Sequence, residues 1–176
     1  PNFGLSGEAL RAFNPDLTYV TMPGYGRSGP NRDWVAYGPT IDGHAGHTWL
    51  TGYRNEIPWK CGIAWPDPTA GMHAAAATIV ALLDRQCCGI TGQTVEVAQV
   101  ETAINMIGQH VVASQLGAPS SRWGNRRPGR APQGVYPCKG EDRWIAISVV
   151  DDASWMGLCG VAGWNDLRKL DADQRW

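Results

Sequence analysis

Residues 65–86, "WPDPTAGMHAAAATIVALLDRQ", hold the clearest helix pattern of the chain and raise the question of what Asp67 does. Pro68 suits the first helical position and an alanine-rich apolar stretch follows it, so the pattern predicts a helix over 68–86 that ends near Gly89. Propensity alone favours Asp67 as an N-cap. Because a helix start offers free amides and the positive end of the helix dipole, the position also suits an ionised carboxylate that attacks a substrate. Asp67 is therefore a cap, a nucleophile, or both.

Helix and strand patterns alternate on both sides of this helix. Ser6 is expected to cap a short helix that Asn14 ends. Runs of apolar and β-branched residues predict strands. Stretches that have apolar residues at helical spacing, or that are rich in small side chains, predict further helices. The predicted strands are 17–22 and 93–98, and the predicted helices are 34–52 and 100–117. This alternation indicates an α/β fold.

A stretch rich in arginine and proline, "APSSRWGNRRPGRAPQ" (118–133), interrupts the alternation. It has no apolar period, which is typical of a linker or mobile loop. The sequence after it predicts a hairpin that turns at 139–142, and then a helix capped by Asp151 or Asp152. The expected organisation is part of a large domain over 1–117, a linker over 118–133 and the start of a smaller domain over 134–176.

The composition is that of an ordinary soluble domain. The chain has 176 residues, 43% of them hydrophobic and 18% charged, with a net charge of −1. This balance gives no electrostatic footprint for nucleic acid or an anionic membrane. The longest apolar run, 74–83, is too short to span a bilayer. Five cysteines, an odd number, do not suggest a disulfide framework, so the sequence predicts a reduced, cytoplasmic protein.

Two further motifs are weak signals. "GYGRSG" (24–29) matches the dinucleotide pattern G-x-G-x-x-G, but Pro30 and a non-helical stretch follow where a helix is needed to meet the pyrophosphate. A glycine turn that brings the backbone close to a ligand is the favoured interpretation. His44 and His47 form H-x-x-H without a third ligand at metal-site spacing, so no metal is predicted.

The order of several short motifs resembles the class III CoA-transferases, the family of formyl-CoA and carnitine CoA-transferases, to which the α-methylacyl-CoA racemases are related. The motifs are "PGYGRSGP" (23–30), "DPTAG" (67–71), "LLDRQCCGITGQTVEVAQVE" (82–101) and "GVYPCKGEDRWIAISV" (134–149). The resemblance implies part of a Rossmann-like large domain, followed by the first hairpin of a small α+β domain. Family members are much longer, so the chain is expected to be an internal fragment. The resemblance also implies that the full-length protein is an interlocked homodimer.

The resemblance assigns roles to individual residues. Asp67 matches the family's catalytic aspartate, which forms a mixed anhydride and then an aspartyl-CoA thioester. The implied substrates are an acyl-CoA thioester and a carboxylic acid, with no permanently bound cofactor. Tyr37, at 67 − 37 = 30 residues before Asp67, matches a tyrosine that lines the active site, and Gly24 and Gly26 match glycines near the CoA arm. The family's glycine-rich lid is not obvious, and its nearest equivalents are Gln133 and Gly134.

Two alternative functions remain open from the sequence. One is an acyl-CoA racemase or epimerase of the same family, in which a histidine at the position of Tyr37 shuttles the α-proton. Tyrosine there favours transfer, because a phenol is a weak base near neutrality. The other is a non-catalytic piece that contributes only a CoA-binding or dimer surface. The altered lid and the helix-like segments at both ends of the chain motivate this second alternative.

Overall fold

The computed structural model describes residues 3–118 and 121–175. Its internal contacts divide the chain into two units. The first unit comprises Pro1–Thr51 and Pro58–Ser121, and the second comprises Gly52–Ile57 and Arg122–Trp176. Within the described residues, no helix is both long and apolar enough to cross a lipid bilayer.

The first unit is a helical assembly around two short parallel strands. Its elements are α1 (Gly7–Phe13), β1 (Tyr19–Thr21), α2 (Gly38–Ala45), α3 (His47–Leu50), α4 (Pro66–Cys88), β2 (Thr94–Glu96), α5 (Gln99–Met106) and α6 (Gly108–Gln115). Strands β1 and β2 pair in parallel with Val20 opposite Val95. Parallel neighbours require a crossover connection, and α4 provides it here. Helices and strands thus mix as predicted, which confirms the α/β class.

Small side chains let the elements of this unit approach closely. Ala70 and Ala74 of α4 pack against Val97, with Val20 and Val95 of the strands beside them. A second cluster joins α2 to α5 through Ile41, Ala45 and Ala103. The alanine-rich character of α4 therefore serves its packing against the strand pair.

Several predicted element ends are confirmed. Ser6 caps α1 by accepting a hydrogen bond from the Ala9 amide at 3.1 Å. Helix α4 ends at Cys88, and Gly89 follows in the left-handed region at φ 70°. Glycine is the residue that adopts this conformation without steric cost.

Two predicted helices are each broken in two. The helix predicted over 34–52 begins only at Gly38 and is interrupted by Gly46, whose φ is 96°. The helix predicted over 100–117 is interrupted at Ile107, whose φ of −111° and ψ of 20° lie outside the helical range. Both interruptions reorient the chain between packed helices, and apolar periodicity does not encode such a reorientation.

The second unit is built on a hairpin and one helix. Strands β3 (Gln133–Pro137) and β4 (Trp144–Ser148) pair in antiparallel fashion, which confirms the predicted hairpin. Asp151 caps α7 (Asp152–Ala162) through the Ser154 amide at 2.7 Å. A short 3₁₀ helix (Asn165–Leu167) follows. The buried core consists of Val149, Trp155 and Cys159.

Candidate active site around Asp67

Asp67 lies in the first turn of α4 and is not its cap. The helix begins at Pro66, and Trp65 is the N-cap, with helical φ and ψ of −54° and −32° and no side-chain cap bond. The prediction that Asp67 caps a helix starting at Pro68 is therefore wrong. Proline fixes its own φ near the helical value, so Pro66 starts the helix earlier than Pro68 would.

The first turn of α4 does not supply free amides to the carboxylate, contrary to expectation. Pro66 and Pro68 have no N–H group. The Asp67 amide donates to the Ala64 carbonyl oxygen at 3.3 Å, and the Thr69 amide donates to the Trp65 carbonyl oxygen at 3.2 Å. The Asp67 side chain is exposed.

The carboxylate lies directly against Gly38, the first residue of α2. A Cβ placed on Gly38 would be 2.5 Å from Oδ2 of Asp67 and 2.4 Å from the Cβ of Ala64. Real Cβ contacts essentially never fall below 3.0 Å, so only glycine fits here. The N-terminus of α2 therefore meets the carboxylate, and its partial positive charge interacts favourably with a negative group.

A second carboxylate is buried near Asp67. Asp42 on α2 is fully buried, and neither of its oxygens has a hydrogen-bond partner among the described residues. Burial raises the pKa of Asp42 because the charged form loses its hydration, and the charge of Asp67 raises it further. His47 and Lys60 act in the opposite direction.

His47 connects Asp42 to helix α5. Its Nε2 atom donates to the Ala103 carbonyl oxygen at 2.9 Å, since a carbonyl can only accept. The other ring nitrogen, Nδ1, lies 3.9 Å from Oδ1 of Asp42, beyond hydrogen-bond distance. The His47 ring therefore lies between the Asp42 carboxyl and the backbone of α5.

Three residues proposed from the sequence lie on the same unit as Asp67. Tyr37 is the N-cap of α2 and immediately precedes Gly38, with an exposed ring. Gly24 lies so close to Ala36 that a Cβ would approach the Ala36 Cβ to 2.2 Å. Gly26 is buried at φ 86° beside Glu96. The glycine loop thus packs against the segment leading into α2, and no helix begins in it.

Gln133 and Gly134 belong to the second unit, where they begin strand β3. The ring of Tyr136 covers Gly134, because a Cβ there would meet its Cζ at 3.2 Å. The histidines of H-x-x-H also have separate surroundings. His44 contacts the rings of Tyr25 and Trp34 and bonds to the Tyr25 hydroxyl, whereas His47 faces Asp42. The described residues contain no cluster of three or more potential metal ligands.

Sequence reasoning missed Gly38 and Asp42 as neighbours of Asp67, and His47 as a neighbour of Asp42. The sequence separation of 67 − 38 = 29 positions hides the contact between Gly38 and Asp67. Asp42 gave no signal, because an acidic residue in a short helix is usually exposed.

Residues 1–176 match the family described as CoA-transferase family III. The chain belongs to CoA-transferase family III. The predicted resemblance is thereby confirmed, and the members of this family act on CoA thioesters.

Named relatives of this CoA-transferase family III chain agree with the assignment. An acyl-CoA transferase of Fusarium pseudograminearum is 32% identical over 161 residues, which cover 91% of this chain and 35% of that protein. A succinate–glutarate CoA-transferase of Agrobacterium fabrum is 31% identical over 163 residues, covering 92% and 40%. A CAIB/BAIF family crystal structure from Brucella suis superposes with a TM-score of 0.83 at 29% identity, over 97% of this chain and 44% of that one. The chain thus spans less than half the length of these relatives.

Proposed function

We propose that the full-length protein transfers CoA between carboxylic acids and that Asp67 is its nucleophile. The observation that carries the proposal is the contact of Asp67 with Gly38. An exposed carboxylate lies where the absence of a side chain leaves room for it, at the N-terminus of α2. A carboxylate suits the reaction because its acyl derivatives stay about as reactive as a thioester.

The proposed reaction proceeds by covalent catalysis in four balanced steps. An Asp67 oxygen attacks the donor thioester carbonyl, forming a mixed anhydride and releasing CoA thiolate. The thiolate attacks the aspartyl carbonyl, forming the aspartyl-CoA thioester and releasing the donor acid. The acceptor carboxylate then attacks this thioester, giving a second mixed anhydride and CoA thiolate. Attack of that thiolate on the acceptor carbonyl yields the new acyl-CoA and restores Asp67.

Tyr37 supports transfer over racemisation. A racemase needs a base on each side of the substrate α-carbon, and a phenol is a weak base near neutrality. The exposed Tyr37 ring, one residue before Gly38, is suited instead to lining the acyl site. Gly24 and Gly26 are proposed to let the CoA arm approach the backbone, and Gln133 and Gly134 to belong to a lid.

The proposal extends to the setting of the enzyme. We expect an interlocked homodimer in the cytoplasm, as the family resemblance implies, with acyl-CoA and acid substrates but no permanently bound cofactor. Sedimentation of the full-length protein measures the dimer directly. A monomer that retains transferase activity would contradict this part of the proposal.

Trapping of the thioester tests the role of Asp67. Full-length protein is incubated with succinyl-CoA without acceptor, a donor chosen because the Agrobacterium relative is named for succinate. Hydroxylamine is then added and the modified peptide is mapped by mass spectrometry. We expect the hydroxamate on Asp67 and on no other acid. Binding of succinyl-CoA without any label on Asp67 would favour the non-catalytic alternative.

Kinetics of matched variants complete the test. We expect Asp67→Asn to lower kcat by about 10⁴-fold or more, as deletions of catalytic-unit residues do. Asp84→Asn removes a carboxylate from the far end of the same helix and should leave kcat unchanged. Deuterium exchange at the substrate α-carbon without an acceptor acid would instead support racemisation.

A further inference from the structure

The second unit contains a cavity of about 380 Å³. Nine residues line it, namely Tyr53, Arg54, Trp123, Asn125, Arg126, Gln133, Gly134, Val135 and Tyr136. Two of its walls, 52–57 and 122–126, are tied by the Gly124 amide, which donates to the Gly52 carbonyl oxygen at 3.0 Å. Arg122 adds a second tie by donating to the Glu56 carbonyl oxygen at 2.7 Å. The cavity is therefore built on a hydrogen-bonded frame.

The lining carries positive charge without acidic residues. Arg54 and Arg126 contribute two guanidinium groups, and none of the nine lining residues is Asp or Glu. Neither arginine takes part in the ion pairs formed by the described residues. The Arg54 guanidinium instead lies 5.8 Å from the centre of the Trp123 ring. An oxyanion is the ligand that two guanidinium groups without carboxylate partners favour.

The other lining groups select for an organic anion rather than a bare ion. Three aromatic rings, of Tyr53, Trp123 and Tyr136, line the same space. The volume corresponds to about a dozen water molecules at about 30 Å³ each, so it exceeds one small ion. Oε1 of Gln133 is buried without a hydrogen-bond partner among the described residues, and a polar group of the ligand would satisfy it.

A smaller cavity of about 50 Å³ shares Arg126, Gln133 and Tyr136 with this one and is also lined by Arg175. The Arg175 side chain is only 3% exposed, and its Nη2 atom pairs with Asp152 at 2.5 Å. Its Nη1 atom is buried and has no partner among the described residues. The Arg175 guanidinium therefore has an unused hydrogen-bond donor, and Arg175 lines the smaller cavity.

We propose that this cavity binds an organic oxyanion, with Arg54 and Arg126 holding the charged group and the aromatic rings contacting its body. Carboxylates and phosphates share this chemistry, so the occupant is the acid substrate or a phosphate group of CoA. The choice between these two occupants rests on the proposed CoA transfer, whereas binding of an oxyanion does not require the nucleophilic role of Asp67.

Calorimetric titration of the full-length protein tests the site with two probes, phenylacetate for the carboxylate and adenosine 3′,5′-diphosphate for the phosphates of CoA. We expect Arg126→Gln and Arg54→Gln each to weaken binding of one probe by about tenfold to a hundredfold, the range of hydrogen bonds to charged groups. The matched control is Arg127→Gln, which changes the neighbouring arginine that does not line the cavity. The affinity of Arg127→Gln for each probe should stay within about twofold of the wild-type affinity, which is the effect of a weak exposed contact.

The outcomes separate the two sources of the ligand. Selective loss of phenylacetate binding assigns the cavity to the acid, and selective loss of the nucleotide assigns it to CoA. Circular dichroism verifies that each variant is folded. If Arg126→Gln does not fold, Arg54→Gln provides the test. The proposal is overturned if both pocket variants bind the probes as tightly as Arg127→Gln does. It is also overturned if neither probe binds to the wild-type protein. Binding that is intact in Asp67→Asn keeps this result distinct from the proposed catalytic role.

Discussion

At the scale of single residues, the proposed catalysis by Asp67 implies a constraint on Gly38, which contacts its carboxylate. Gly38→Ala would put a methyl group 2.5 Å from Oδ2 of Asp67, so the carboxylate must move. We expect kcat to fall by about 100-fold, because a displacement of about 1 Å in a reacting group has this effect. The proposed transfer measures this change, assayed from succinyl-CoA to glutarate because the Agrobacterium relative is named for succinate and glutarate.

Gly43→Ala is the matched control on the same helix. A Cβ on Gly43 meets no atom within 4 Å, and its backbone is helical. This variant should keep wild-type kcat and gain stability of about 0.5–1 kcal/mol from the higher helix propensity of alanine. Equal kcat values for Gly38→Ala and Gly43→Ala would refute the positional role of Gly38.

The buried Asp42 carboxyl gives a pH dependence of known sign. Burial raises its folded-state pKa above 3.8, so the folded protein binds the proton more tightly than the unfolded chain. The stabilisation is complete below the unfolded pKa and is lost as pH rises through the folded value. His47, Asp67 and Lys60 face this carboxyl, and His47 and Lys60 partly oppose the shift.

Urea unfolding of the full-length protein at a series of pH values above about 4 measures this loss, starting near the reference pKa of an aspartate. We expect Asp42→Asn to flatten the decline, because the amide does not titrate. Asp84→Asn, at the far end of α4, should retain the wild-type slope. If the stability of the wild-type protein instead increases over this pH range, and increases less in Asp42→Asn, then ionisation of Asp42 stabilises the fold. That result would contradict the interpretation.

Such side-chain neighbours could not be predicted from the chain. Asp67 could be singled out from the sequence because its motif opens a strong helix pattern and resembles the catalytic motif of the family. Gly38 and Asp42 owe their significance to the approach of α2 to the start of α4, which is tertiary. The cap assignment failed for a local reason, since Trp65 adopts helical angles before Pro66 and thereby moves the helix start by two residues relative to Pro68.

At the scale of secondary-structure elements, the break between α2 and α3 rests on Gly46. Its φ of 96° is unfavourable for side chains, and a Cβ would lie 3.2 Å from Cδ1 of Ile107. We expect Gly46→Ala to lower the free energy of unfolding by about 1–2 kcal/mol, the cost of a left-handed alanine. The midpoint of urea unfolding measures the effect.

Gly71→Ala on α4 is the corresponding control for an unstrained glycine. A Cβ there meets nothing within 4 Å, so alanine should stabilise the helix by about 0.5–1 kcal/mol. Opposite signs for the two substitutions are expected. A stabilising Gly46→Ala would show that α2 and α3 join into the single helix that the sequence predicts over 34–52.

Elements with local determinants were predictable, and those with tertiary determinants were not. The Ser6 cap, the terminal Gly89 and the hairpin turn at 139–142 are each specified by a few adjacent residues. The interruptions at Gly46 and Ile107 are different, because each depends on how one helix packs against another. Nothing in the apolar spacing of 100–117 distinguishes one long helix from two short ones.

At the scale of the whole molecule, helix α4 presents an exposed apolar face. Met72, Ile79 and Leu83 are spaced at intervals of seven and four residues and therefore share one side of the helix, and all three are exposed. Contiguous apolar surface of this kind usually contacts another part of a protein. The family relatives are more than twice as long as this chain, and we expect the remainder of such a chain to cover this face.

Substitution of this face distinguishes a covered from an exposed surface. In a chain of the relatives' full length, Ile79→Gln and Leu83→Gln should each lower the free energy of unfolding by about 1.5–3 kcal/mol, because buried aliphatic side chains lose that much on exposure. In residues 1–176 produced alone, the same changes should leave stability nearly unaltered and reduce binding of a hydrophobic dye. Gln86→Ala, an exposed position near the end of the helix, should be neutral in both. If Ile79→Gln changes the free energy of unfolding equally in the two chains, the rest of the longer chain does not cover this face. The large apolar side chains of α4 would then need another partner.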